Sequence, residues 1–446
     1  MKAFVPILIL ICCASMCRSE NPGLVAAIKM PIIEKVKNQY FVSAFQQFGH
    51  QTVPDQSEGD LHVSNIRVDM SNTSPNNLKV SFVKASNAIG VDIENTGIVV
   101  NVDWRFKKSI ISVSGDAKVS GTIGGIAMGI VLTKMQEGSY FIPQIGVNNF
   151  NLNMDKGAFS LDFHCNHCPG EIEKLISGFL KDKLLDAVRS AIISQTPSQV
   201  TSIGNTMLNQ DYPRAVSIFS NIDVATAMIG DIAVQDDHLE VPLDSTIFLH
   251  TKGYNRPGPA PEIPGYNPKD PGDVMMFFSP YLLSTLSDTL NQGPQSYSVS
   301  FYGINVDVTL DPSQGQTSLA LEDGDLSAKF SPMINLPSYG VGLQMTATAQ
   351  INPTILQGDD TNMFYVTPSI KSMTLSSLSL FVGSVPIDLS FMVVYLNAFV
   401  QAVINKGLIP TIAVAKLAAL PIHVINSELD FHKAYSEFGI LFDFGM

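Results

Sequence analysis

The chain has 446 residues, of which 45% are hydrophobic and only 15% charged, and its formal net charge is −13 at pH 7. That length exceeds what one ordinary core organises and predicts two domains of about 200 residues each. The acidic balance excludes a protein that works mainly by gripping phosphate-rich surfaces, so nucleic acid is not an expected partner.

Met1 to Glu20 reads as a secretory signal peptide: Lys2, the apolar run Phe4 to Cys13, then short residues around Ser15, Cys17 and Ser19. Cleavage after Cys17 or Ser19 removes Cys12, Cys13 and Cys17, and predicts a secreted or lumenal protein whose remaining cysteines are Cys165 and Cys168. Asn21-Pro22-Gly23 predicts a helix start, and Leu24, Ile28, Ile32, Val36, Tyr40, Ala44 and Phe48 recur every four residues along one face. Pro31 within that pattern predicts a kink near Met30.

From Leu61 to Phe163 the pattern changes to short alternating segments between Asn, Gly and Asp-rich turns, which predict antiparallel strands. Gly121 to Gly129 fits no phosphate-binding loop and reads as a strand where backbones pass closely. Pro169 opens a second helix with an apolar stripe through Ile172, Leu175, Ile176, Phe179, Leu180, Leu184, Val188 and Ile192, and Pro197 is expected to end it. Six prolines between Gly253 and Pro271 predict an extended connector. Beyond it the expected order is a helix from about Asp273 to Asn291, strands from Tyr297 to Leu380, a helix from about Pro386 to Gly407 and closing strands from His423 to Phe444. Leu389 to Asn405 is uncharged but holds Ser390, Asn397, Gln401 and Asn405, so it reads as a buried helix and not as a membrane span.

The one spot with obvious ligand chemistry is His164-Cys165-Asn166-His167-Cys168. Four donors within five residues cannot easily surround a zinc ion, so no metal site is expected. A local Cys165 to Cys168 disulfide and free or intermolecular thiols both stay open, the disulfide being favoured in a secreted protein. No Gly-x-Ser-x-Gly elbow or His-Glu-x-x-His helix occurs, and the expectation is a non-enzyme that needs no cofactor. Asn72-Thr73-Ser74 fits a glycosylation acceptor, with Pro75 following it.

Several segments, taken together and in order, resemble the family of bactericidal/permeability-increasing, lipopolysaccharide-binding and cholesteryl ester transfer proteins. They are Asn21-Pro22-Gly23-Leu24, Trp104-Arg105-Phe106-Lys107-Lys108 with Ser112-Val113-Ser114-Gly115, Met276 to Tyr281, Leu420-Pro421-Ile422, Asn426 to Leu429 and Phe431-His432-Lys433. The resemblance implies an α+β fold of two tandem domains, each a twisted antiparallel barrel or sheet wrapped around a long helix, joined by a central sheet in an elongated boomerang. On that pattern 1–19 is the signal peptide, 20–245 an N-terminal lipid-binding domain, 246–272 a proline-rich linker and 273–446 a C-terminal lipid-binding domain. The implied function is a lipid carrier or transfer protein holding phospholipids or other two-chain lipids as its ligands. The alternative is an innate-immune protein that recognises lipopolysaccharide or an anionic membrane surface through Arg105, Lys107 and Lys108. Two departures from the family stand out: its strand-to-helix disulfide has no partner cysteine in the second helix, so that staple cannot form, and the basic hairpin continues into uncharged Ser109, Ile110 and Ile111, which weakens the lipopolysaccharide alternative. Periodicity nominates Ile28, Ile32, Val36, Ile172 and Leu180 as lipid contacts in the first domain, and Phe277, Leu282, Phe399 and Val403 in the second.

Overall fold

A computed structural model describes residues 21–35, 37–38, 49–70, 73–108, 111–165, 170–211, 214–219, 221–264, 272–301, 303–357, 363–403, 405, 412–416 and 422–444. The signal-peptide reading, Val36, Asn72 and Cys168 therefore lie outside the described residues.

The protein is mostly β-sheet, with a half-barrel sheet and a long helix. An eight-stranded sheet is built from the first part of the chain, and its spine is three antiparallel strands, Ala88–Lys108, Ile111–Glu137 and Tyr140–Asn153. These run far beyond the usual strand length of about 5–6 residues. Alternation decides which face is buried: Leu61, Val63, Ile66 and Val68 point inward from the strand Leu61–Asp69. Between Val63 and Ile66 the inward spacing is three instead of two, and the register against Ala88–Lys108 shifts there, between Ser64 and Arg67. Asn65 absorbs the extra residue at φ 54°, a left-handed conformation that asparagine tolerates. The glycine run behaves as expected of a close approach, since a Cβ on Gly121 would lie 2.5 Å from the Phe159 ring.

The long helix Gly170–Asp211 lies against this sheet. Ile176, Leu180, Leu184, Leu185, Val188, Ala191 and Ile192 bury their side chains in one cluster with the sheet's inward residues. Pro197 does not end it: the helix continues for fourteen more residues to Asp211. The neighbouring turns, packed against the sheet, tolerate the missing N–H, which costs about 3 kcal/mol in an isolated helix.

A nine-stranded sheet is drawn from residues 295–416, with Val341–Gln357 and Met363–Val382 as its longest pair. It carries its own core around Val306, Val308, Met345, Met373, Leu375 and Val400. A six-stranded sheet gathers strands from the start, middle and end of the chain, in the order Ala233–Val234, His238–Leu243, Leu24–Lys29, Val274–Phe278, Tyr435–Phe444 and Ile422–His432.

That sheet overturns the reading of the mature N-terminus. Leu24–Lys29 is a strand, not the first turns of a helix, and it pairs with Leu243–His238 on one side and Phe278–Val274 on the other. Two flanking strands satisfy its backbone groups, a gain that local periodicity cannot register. Helix begins only at Met30, which places Pro31 in a first turn, where its missing N–H costs nothing and no kink is needed. The helix expected from about Asp273 to Asn291 is corrected in the same way: Val274–Phe278 is a strand, and helix is confined to Tyr281–Leu290. Likewise Val385–Asp388 is a strand, and the last helix spans Val393–Val403.

Candidate functional site

A strongly apolar cavity lies in the nine-stranded sheet. It encloses about 180 Å³ and is lined by Leu290, Tyr297, Val308, Leu310, Thr317, Leu319, Ala328, Phe330, Pro332, Ile334 and Ile351. Strand alternation builds it: Tyr297 faces Val308 across one antiparallel pair, and Val308 faces Ile334 across the next. Leu290, from the end of the short helix Tyr281–Leu290, contributes to the same wall. The lining holds no charged residue. It is continuous with the core beside it, because Tyr297, Phe330, Ile334 and Ile351 also pack on the cluster that receives Val393 and Leu396 of the last helix.

Burial pushes the Tyr297 phenol up to about 12 from its usual 10.0. The sign follows directly: stability contributed by the neutral phenol is intact below pH 10 and is lost as pH rises toward 12. Two units correspond to roughly 2–3 kcal/mol. Urea midpoints measured across this range should fall steeply in the natural chain and less so in Tyr297→Phe; equal alkaline loss in both would remove the phenol from the cause.

A larger cavity, of about 590 Å³, opens between the long helix and the strands His50–Val53, Gln56–Glu58 and Leu61–Asp69. Its floor is apolar, from Val53, Leu61, Val63, Leu180 and Ala191. Its rim is charged: Lys183 Nζ lies 2.7 Å from Glu58, and Asp186 lies 2.7 Å from Lys156 Nζ. The hydrogen bond and charge of Glu58 raise the pKa of Lys183, keeping that ammonium protonated at the rim. An apolar floor beneath a charged rim suits an amphiphile whose head group stays in water.

The structure distributes the predicted lipid contacts widely. Leu180 lines the larger cavity and is fully buried. Ile28 is half-buried in the six-stranded sheet, against Met228, Ile232, Val234 and Leu239. Ile32 is half-buried in the short helical stretch after it. Ile172 lies on the long helix, and Phe399 and Val403 on the last one; their side chains, like Val36, fall outside what is described. Phe277 is buried in the six-stranded sheet with Ala27 and Met275, on the lining of neither cavity. Leu282 packs on Ile222, Ile247 and Leu249 beside Leu290. Sequence reasoning missed Tyr297, Val308, Phe330, Ile334 and Ile351. Alternation marks several of them as inward, but not which inward residues enclose a gap.

Trp104-Arg105-Phe106-Lys107-Lys108 closes the strand Ala88–Lys108, where Lys108 pairs with Ile111 of the next strand. Trp104 is buried beneath it, stacked on Phe163 at 4.7 Å, while Arg105, Lys107 and Lys108 are exposed. Cys165 is disulfide-bonded and packs on the same core; its proposed partner, Cys168, is outside the described residues. Among the described residues no cluster of three His, Cys, Asp or Glu is placed to hold a metal ion, and no helix is long and apolar enough to cross a membrane.

No protein-family model matches the chain, and neither does any curated protein. Among solved structures it is similar to lipopolysaccharide binding protein, with a TM-score of 0.52 and 14% identity over 95% of this chain and 99% of that one. It is also similar to P47 of Clostridium botulinum E1, with a TM-score of 0.32 and 10% identity over 95% of this chain and 100% of that one. A further match is Takeout 1 of Epiphyas postvittana, with a TM-score of 0.23 and 12% identity over 38% of this chain and 88% of that one. The first of these likenesses shows the fold.

Proposed function

We propose that this chain, built on the fold it shares with lipopolysaccharide binding protein, is a secreted lipid carrier or transfer protein with one lipid site in each of two tandem domains. The observation that carries the reading is the uncharged cavity around Tyr297, Val308, Phe330 and Ile334. Such a wall recognises hydrocarbon and little else, since burial contributes about 25 cal/mol per Å² whether the partner is protein or acyl chain. The larger cavity along Leu180 is the matching candidate in the first domain, its rim of Lys183, Glu58 and Asp186 serving a polar head group. On this reading phospholipids are the ligands and no catalytic step or cofactor is involved.

Ala328 is buried on the wall of the uncharged cavity, so Ala328→Phe puts a ring into the space an acyl chain would use. Excluding two buried methylenes costs about 1.6 kcal/mol, so retention of a fluorescent phosphatidylcholine should weaken about tenfold or more. Lipid extracted from the purified natural chain should contain two-chain species. A natural chain that carries no lipid and retains none of the fluorescent probe sinks the carrier reading.

The exposure of Arg105, Lys107 and Lys108 at one hairpin favours a second reading, recognition of lipopolysaccharide. Three exposed cations supply about 3 kcal/mol at an anionic surface at low salt, and the chain's net charge of −13 opposes them. Tight lipopolysaccharide binding at physiological salt that is lost on replacing all three would rank this reading first.

A further inference from the structure

The segment 389–405 is turned inside out with respect to its chemistry. Its amides face the protein: Asn397 accepts from Leu375 N at 3.2 Å and donates to Met373 O at 2.5 Å. Gln401 donates to Ile370 O and Lys371 O at 3.1 and 3.0 Å, and Asn405 accepts from Ile370 N at 2.6 Å and donates to Ile370 O at 2.8 Å. These bonds fill a gap in sheet pairing. The strand Met363–Val382 meets Val385–Asp388 over 379–382 and Ile412–Lys416 over 363–366, and the three side chains serve the backbone between those stretches.

With its polar groups committed inward, the helix presents apolar residues to solvent. Phe391, Val394 and Tyr395 are 76, 84 and 82% exposed, and Ala398 and Ala402 continue the face at helical spacing. The adjoining hairpin extends it with Val382, Val385 and Ile387, at 52, 62 and 44%. Tyr339 joins at the same end of the sheet, where Gly383 N donates to Gly340 O. Monomeric proteins rarely expose a contiguous apolar surface of this kind without a partner for it.

Charge identifies the partner. From Ser372 to Asn405 the only charged side chain is Asp388. A folded protein partner would call for a rim of hydrogen-bonding groups, about one bond per 100–200 Å² of interface, and this face offers chiefly the hydroxyls of Tyr339 and Tyr395. A lipid surface needs none, and tyrosine suits its head-group boundary. An uncharged face with no cation, on a chain of net charge −13, matches a zwitterionic surface and not an anionic one. We propose that the face formed by Phe391, Val394, Tyr395 and the 382–387 hairpin docks the protein onto zwitterionic lipid surfaces, the last helix lying flat in the interface. The proposal does not depend on either cavity being filled.

Flotation of the full chain with phosphatidylcholine vesicles tests it. The natural chain should float equally at low and high salt, and Phe391→Ser/Val394→Ser/Tyr395→Ser should lower partitioning about tenfold or more, with its melting temperature kept because the three side chains are exposed. Ala398→Leu should raise partitioning. Failure of the natural chain to float, or flotation untouched by the triple replacement, overturns the proposal. So does a concentration-dependent dimer abolished by that replacement, which would make a second copy the occupant. Lipid extracted from the triple variant keeps the two readings apart, since lost docking with retained lipid leaves the carrier function standing.

Discussion

Replacing Asp244 with alanine is expected to destabilise the protein by about 3–5 kcal/mol, the cost of leaving a buried charge without its counterpart. Asp244 is fully buried, and its carboxylate accepts from the Tyr254 hydroxyl and, at 2.6 Å, from the Thr246 hydroxyl. Arg256 Nε lies 3.3 Å away, on a side chain only 11% exposed. Arg256 also donates to Asn21 O at 2.7 Å and stands 5.7 Å over the ring of Tyr281, whose hydroxyl is 2.9 Å from Thr246 Oγ1. The network thus ties the beginning of the described chain, the end of a central strand, the proline-rich connector and the short helix to one carboxylate. Burial and the Asp244 hydrogen bond raise the pKa of Tyr254 and keep its hydroxyl a donor. Tyr254→Phe, which removes one neutral partner, should cost only about 1–2 kcal/mol. Adding Arg256→Met to Asp244→Ala should recover part of the loss. Thermal unfolding of the three variants distinguishes these outcomes, and a loss below about 1 kcal/mol in Asp244→Ala would refute the account.

Phe277→Ala should cost about 3–5 kcal/mol and leave bound lipid unchanged. Phe277 is 2% exposed and sits opposite Val25 on one neighbouring strand and Glu437 on the other, with its ring 6.4 Å from that of Tyr435. Truncation would open a void between strands from three distant parts of the chain, where little can relax to fill it. Periodicity nominates the same residue as a lipid contact, so the experiment separates two roles. A large loss of stability with lipid content intact identifies a structural residue; lipid lost at an unchanged melting temperature would return Phe277 to the ligand.

What was legible in the sequence follows from how far each signal reaches. The strands between Leu61 and Phe163 and the start of the long helix are locally encoded, in alternation and in a Pro-Gly-Glu opening. Leu24 to Lys29 is not: its residues suit either structure, and strands more than 200 positions away decide the outcome. Asn397, Gln401 and Asn405 mislead in a different way. They lead the segment to be read as a buried helix, whereas they serve a gap in sheet pairing and leave Phe391, Val394 and Tyr395 exposed. The site was legible only in kind. Apolar inward residues are plentiful, but a cavity is a place where packing falls short, and no single strand records that.

Pro197 divides the long helix into halves of unequal local stability. The half before it buries seven apolar side chains, from Ile176 to Ile192, each at 5% exposure or less. Among the described residues 198–211 none is buried, and a principal tether is Asn205, which exchanges hydrogen bonds with the backbone of Ile145 at 2.6 and 3.0 Å. Because proline breaks the chain of i to i−4 bonds, unwinding of the second half need not propagate into the first. The second half is therefore a separate cooperative unit, able to open and reclose while the first stays locked to the sheet, so native-state amide exchange along one continuous helix follows two different free energies.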